Sequence, residues 1–218
     1  MKINKDDPLP RHTEYDWEEC YAKAVLETFI KDKIKNLIIK DRPDLQNEEI
    51  NLGIECTIAI DEKQIEAENL YCELTNNRTR NPEKCKERIE MLGGKITQYT
   101  MVQSGSDTTG NIFEAVNNKL KKLNGGNYKI FKNNYLLIRD CIYIPNERIK
   151  GLQYSIAMLQ SKYDKKFDII YLLLNSKLIE LNMIDYTNIY FKISSNMQYE
   201  LAQKARDMVI THEEDTNK

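Results

Sequence analysis

One run of nine residues, Leu52-Gly53-Ile54-Glu55-Cys56-Thr57-Ile58-Ala59-Ile60, constrains the fold of this chain more than any other. Its apolar, β-branched content predicts a buried strand. Glu55 at its centre is the anomaly. An unpaired buried carboxylate is expensive enough to require a metal, a cation or a proton. Asp44 stands eleven residues upstream in the stretch Arg42-Pro43-Asp44-Leu45-Gln46, behind a proline that favours extended backbone before it. Two strand-borne carboxylates joined by a short turn can converge on one point, and such oxygen pairs bind hard divalent cations such as Mg²⁺.

The rest of the chain alternates helical and strand-like patterns. A helical periodicity runs from Glu14 to about Lys35, and Leu37-Ile38-Ile39 begins a strand that ends at the Pro43-Asp44 turn. Residues 61–92 favour helix, broken by Asn76–Pro82 and stopped at Gly93-Gly94. Lys95–Val102 reads as a short strand and Gln103–Gly110 as a flexible loop. Then follow a helix at Asn111–Asn124, a strand at Tyr135–Ile138, a helix at Asn146–Lys162 and a strand at Asp168–Leu174. Short strands at Leu178–Leu181 and Ile189–Ile193 precede a closing helix at Tyr199–Ile210. This order predicts a single α/β domain over 1–218 with a central mixed sheet flanked by helices. Residues 1–13 are expected as an extended arm, about 61–110 as a helical elaboration, and 211–218 as a mobile tail.

Composition excludes several classes. With 32 Lys and Arg against 34 Asp and Glu, the net charge of −2 gives no global attraction to nucleic acid, so any such surface must be local. No apolar run approaches the roughly 18 residues of a membrane helix. The first residues, Met1-Lys2-Ile3-Asn4-Lys5, lack the apolar core of a signal peptide, so a cytoplasmic protein without membrane association is expected. Five scattered cysteines and only His12 and His212 speak against a zinc site or a disulfide framework. Cys20, Cys56 and Cys141 lie in apolar patterns and read as small buried hydrophobes.

On the 111–124 helix, Ile112, Val116, Leu120 and Leu123 define the buried stripe. Lys119 falls on or beside it, while Lys121 and Lys122 are better placed to reach solvent. Pro43-Asp44, a spacer and Gly53-Ile54-Glu55-x-Thr57 together resemble the active-site motif of the PD-(D/E)XK, or restriction-endonuclease-like, nuclease superfamily. The order helix, strand with Asp, strand with Glu, helix, strand is similar to that family's core over about residues 14–140. The resemblance implies a restriction-endonuclease-like fold in which Asp44 and Glu55 bind Mg²⁺ or Mn²⁺. It also implies hydrolysis of phosphodiester bonds, with DNA as the expected partner and a homodimer as a common assembly. The family's usual lysine lies two residues after the Glu, where this chain has Thr57. Some branches carry it on the following core helix, which makes Lys119 the candidate and Lys122 the second. The family's frequent glutamate on the first core helix is matched by Glu19, with Glu18 beside it.

Each residue also has an ordinary role open to it. Asp44 could end a strand at a Pro-Asp turn, Glu55 and Lys119 could form a structural ion pair without metal, and Lys119 could snorkel past the core. Two basic stretches flank the acids: Lys31, Lys33, Lys35, Lys40 and Arg42, and Lys119, Lys121, Lys122, Lys129 and Lys132 with Tyr128 and Phe131 interleaved. They suit a groove that tracks a nucleic-acid backbone or a solvated helix surface. The competing reading is a catalytically degenerate protein of the same fold that binds nucleic acid or a protein partner.

Overall fold

Alternation between the two faces of the sheet organises the molecule. In the computed structural model, which describes residues 9–10, 12–97, 101–103, 109–126 and 128–216, Leu136 and Ile138 point to one face while Leu137 points to the other. These residues belong to β6 (Asn133–Arg139), which pairs in parallel with β3 (Leu52–Ile58) on one side and β7 (Ile169–Leu174) on the other. All six residues of β7 are buried, as expected of a central parallel strand covered on both faces.

The seven-stranded mixed sheet has the order β1-β2-β3-β6-β7-β8-β9. β1 (Ile38–Ile39), β2 (Leu45–Asn47) and β3 form an antiparallel meander, and β8 (Lys177–Asn182) and β9 (Asn188–Lys192) complete the far side antiparallel. Helices α1 (Trp17–Phe29) and α6 (Ser195–Thr216) pack together over one face. Helices α4 (Gly110–Asn124) and α5 (Asn146–Gln160) cover the other. Between β3 and α4 the chain makes α2 (Glu62–Thr75), α3 (Pro82–Met91) and a small hairpin of β4 (Gly94–Ile96) and β5 (Met101–Gln103). Among the described residues, no helix is long and apolar enough to cross a membrane.

Several boundaries differ from expectation for local reasons. α1 stops at Phe29 rather than near Lys35, yet Ile30, Ile34 and Leu37 stay buried in the same core as Leu26. Their spacing continues the helical period through a non-helical turn, so periodicity alone overruns the end. The Glu27 side chain receives the Leu37 N–H at 2.8 Å and fixes the returning chain. β2 follows the Pro43-Asp44 turn, where no separate strand is expected from the sequence. Its polar side chains are buried because they serve neighbouring backbone: Gln46 donates to the Pro43 carbonyl at 2.9 Å and Asn47 to that of Lys35 at 2.7 Å.

The closing helix also begins earlier and ends later than expected, running to Thr216 where a mobile tail from 211 was anticipated. His212 on this extension stacks on Tyr15, with ring centroids 3.6 Å apart, and Glu213 accepts the Glu14 N–H at 2.5 Å. Lys95–Val102 becomes the two strands of a hairpin, not one strand. Residues 1–8 and 11 of the expected arm, 98–100 of that strand segment, 104–108 of the expected loop and 217–218 of the expected tail lie outside the described residues.

Gly53 fixes how closely the meander packs. A Cβ there would meet Cδ2 of Phe131 and Cγ of Pro43, each at 2.6 Å. The missing side chain lets Pro43 and the Phe131 ring close over the strand just before Glu55. Gly53→Ala is therefore expected to lower stability by ~1–3 kcal/mol, the usual cost of overpacking, as read from urea denaturation. An unchanged midpoint would show that Pro43 and Phe131 yield freely.

Candidate active site

The β2–β3 register builds the site. Leu45 pairs with Ile54, so continuing the ladder by one residue sets Asp44 opposite Glu55. There β2 has not yet begun, and the Cys56 N–H on the open side of β3 lacks a strand partner. The Asp44 carboxylate takes it instead, with Oδ2 accepting at 2.7 Å. Arg42, at φ +56°, turns the chain into Pro43-Asp44 through a left-handed conformation that is costly for a residue with a Cβ.

Glu55 is 5% exposed and is held by two side chains. Lys119 on α4 donates to Oε1 at 2.5 Å, and Tyr128, just after the Gly125-Gly126 turn that ends α4, donates to Oε2. The helix delivers Lys119 because its buried stripe, Ile112, Val116, Leu120 and Leu123, faces the sheet. Lys119 stands beside that stripe and points toward β3. Tyr128 was quoted above only as an aromatic within a basic cluster. No periodicity marks it, because a turn and not a helix brings it to Glu55.

Asp44, Glu55, Lys119, Lys122, Tyr128, Asp41 and Arg42 line one cleft of about 430 Å³. Glu19 reaches the same neighbourhood from α1 and shares an adjoining cavity with Asp44. Glu18 lines that cavity too, but its carboxylate is taken up by Arg139, whose guanidinium lies 5.7 Å from the ring centroids of both Trp17 and Tyr21. Thr57 borders the cavity beside Glu19 and also the groove on the far side of Lys119, between β3, the start of α2 and α4.

The carboxylates perturb one another. Burial pushes the Glu55 pKa up, and the Asp44 charge adds to this while Lys119 and Lys122 oppose it. Burial likewise raises Asp44, against the Cys56 N–H and the same two lysines. Glu19 is pushed up to about 7, by burial first and then by Asp44, Asp16 and Glu55, with Lys119 opposing. Burial is the largest cause for all three, and like charge adds to it: Asp41 for Asp44, Asp44 for Glu55, and Asp44, Asp16 and Glu55 for Glu19.

This bears on a metal. The donors are carboxylate oxygens, suited to Mg²⁺ or Mn²⁺, and a cation would offset the burial and the like charge that raise these groups. Among the described residues no set of three His, Cys, Asp or Glu side chains stands placed to hold an ion. Asp44 and Glu55 could hold one as a pair, with water and a substrate phosphate completing its shell, as is usual for Mg²⁺. Each Glu55 oxygen accepts one hydrogen bond, from Lys119 or from Tyr128, and keeps a second lone pair for an ion.

The expected basic surface is partly neutralised. Lys129 pairs with Glu48, which Lys40 approaches at 3.9 Å, and Lys33 pairs with the buried Glu180 at 3.1 Å. Lys119 and Lys122 are the members of the two basic stretches that line the cleft together with Arg42. Comparison with family models, with curated proteins and with solved structures returns no match to the chain. The reading of the site therefore rests on its own chemistry.

Two stability experiments follow. Lys119→Ala strands a buried carboxylate and is expected to cost about 3 kcal/mol at pH 8, the low end of the ~3–5 kcal/mol for a broken buried pair because Tyr128 still donates. The loss should shrink as pH falls and Glu55, whose pKa burial raises, takes up a proton, and Glu55→Gln in the same background should recover most of it. Glu19 has the opposite sign to a stabilising acid. Its folded pKa of about 7 lies above the ordinary 4.5, so its penalty is absent below pH 4.5, grows as pH rises, and is full above pH 7. In EDTA, Glu19→Gln should raise Tm by a few degrees at pH 8 and leave it unchanged at pH 4.5, as measured by calorimetry.

Proposed function

We propose that this protein is a divalent-metal-dependent nuclease of restriction-endonuclease-like architecture that hydrolyses phosphodiester bonds in DNA. One observation carries the reading. Asp44 and Glu55, opposite each other on adjoining chain segments, share a cleft with Lys119 of α4. The order of elements supports it once α2, α3 and the β4–β5 hairpin are set aside as an insertion: a helix with Glu19, antiparallel strands bringing in Asp44 and Glu55, a helix with Lys119, then a parallel strand. This is the order that the PD-(D/E)XK resemblance implies, with the lysine on the helix in place of the Thr57 position.

The roles follow from charge and position. Asp44 and Glu55 would hold the ion. When bound, it supplies charge neutralisation at the phosphate and a water of lowered pKa. Lys119 brings its ammonium to within hydrogen-bond distance of Glu55, where it can balance negative charge on the phosphoryl oxygens or on the attacking hydroxide. Glu19, titrating near neutrality, suits uptake of the proton that an attacking water gives up. Lys122 and Arg42 place positive charge in the cleft for the substrate backbone.

The degenerate alternative has its own observation: Lys119 and Tyr128, one at each oxygen, already compensate the buried Glu55 carboxylate. Cleavage of plasmid and single-stranded DNA with Mg²⁺ or Mn²⁺ separates the two. The nuclease reading predicts cutting that EDTA abolishes and that falls at least ~100-fold in Asp44→Asn and Glu55→Gln, the scale of losing a positioned electrostatic group. Lys119→Ala should fall comparably, and adding Thr57→Lys should restore activity by returning a lysine to the strand. Binding without cleavage by the parent protein under every divalent ion would instead establish the degenerate protein.

A further inference from the structure

On the α1 side of the sheet, next to the cleft, lies a second cavity of about 210 Å³ that the roles above leave unused except at Glu19 and Asp44. It sits outside the carboxyl ends of the parallel strands β3, β6 and β7, lined there by Ile58, Arg139 and Leu173. That is where open α/β sheets place ligands. We propose that this cavity receives one unstacked nucleobase of the strand whose phosphate occupies the Asp44–Glu55 cleft. The inference rests on the nuclease reading and specifies its substrate as a strand whose bases are free to leave the stack.

Three features argue for a base. The volume is below the ~300–1,000 Å³ typical of drug-sized ligands, so it suits a single ring system and not a whole nucleotide. Its walls combine apolar and aromatic groups, Ala22, Tyr21, Leu137 and Leu173, with a few carboxylates that can accept from ring N–H and amino groups. A phosphate would meet Asp16, Glu19 and Asp44 there, while the one lining cation among the described residues, Arg139, is already paired with Glu18, so the charge sorts base from backbone. The wall is also braced. Tyr21 stacks on Trp17 with centroids 5.1 Å apart and planes 8° from parallel, while Arg139 is tied to Glu18. Asp44 lines both the cavity and the cleft, so one nucleotide can present its phosphate to one and its base to the other.

The test uses a single-stranded DNA oligonucleotide with one abasic nucleotide, incubated with the full-length protein and Mg²⁺, with every cut position mapped. Cutting at a phosphate next to the abasic nucleotide should fall at least ~10-fold below cutting at the other phosphates of the same strand, the scale of one lost base contact. Ile58→Trp, at the cavity wall and 37% exposed in the parent, should slow cutting of the intact strand and remove the abasic discrimination. Equal cutting at abasic and intact positions by the parent would overturn the base pocket and leave the nuclease reading standing. Discrimination unchanged in Ile58→Trp would overturn this cavity as its seat. No cutting anywhere would overturn both.

Discussion

A carboxylate in the middle of a buried strand must be compensated, and the surroundings of Glu55 are arranged around that requirement. Lys119 is set on the helix edge that faces β3, Tyr128 is brought back by the turn after α4, and Gly53 leaves room for Pro43 and Phe131 to close beside it. Replacing such a group with a packed apolar side chain is often neutral or stabilising. Stability alone therefore gives no reason for Glu55, and still less for Asp44 opposite it, whose charge raises the Glu55 pKa, or for Glu19 nearby, whose pKa both of them raise. Mutual repulsion among buried acids is a cost that makes chemical sense when a cation shares the site.

The sheet explains how the acids meet. An antiparallel meander places Asp44 across from Glu55 by register, and the parallel crossover from β3 to β6 lays α4 over the same face. Because side chains alternate along β3, Leu52 and Ile54 enter the α1–α6 core while Glu55 faces α4. The cleft, the base-sized cavity and the groove beside α4 adjoin one another through shared residues, with Asp44, Thr57 and Lys119 at their common borders.

Much of this could be read from residue order, and the rest could not for identifiable reasons. The strand at Leu52–Ile58 and the α4 stripe announce themselves through apolar content and spacing, so Glu55 and Lys119 were legible as the residues out of place. Glu19 and Glu18 were not separable from sequence. Adjacent helical positions point about 100° apart, and only the placement of Arg139 decides which acid turns to the cleft. β2 was hidden because its buried polar residues serve loop backbone, and Tyr128 because turns carry no period. The end of α1 was overrun since Ile30 and Ile34 continue its spacing without its hydrogen bonding.

The central claim is that Asp44 and Glu55 share a divalent cation. The most direct measurement is the anomalous signal between them in a crystal soaked in Mn²⁺. The account predicts a peak in contact with both carboxylates. Saturating Mn²⁺ that leaves no peak there, with Glu55 still held by both partners, would contradict it.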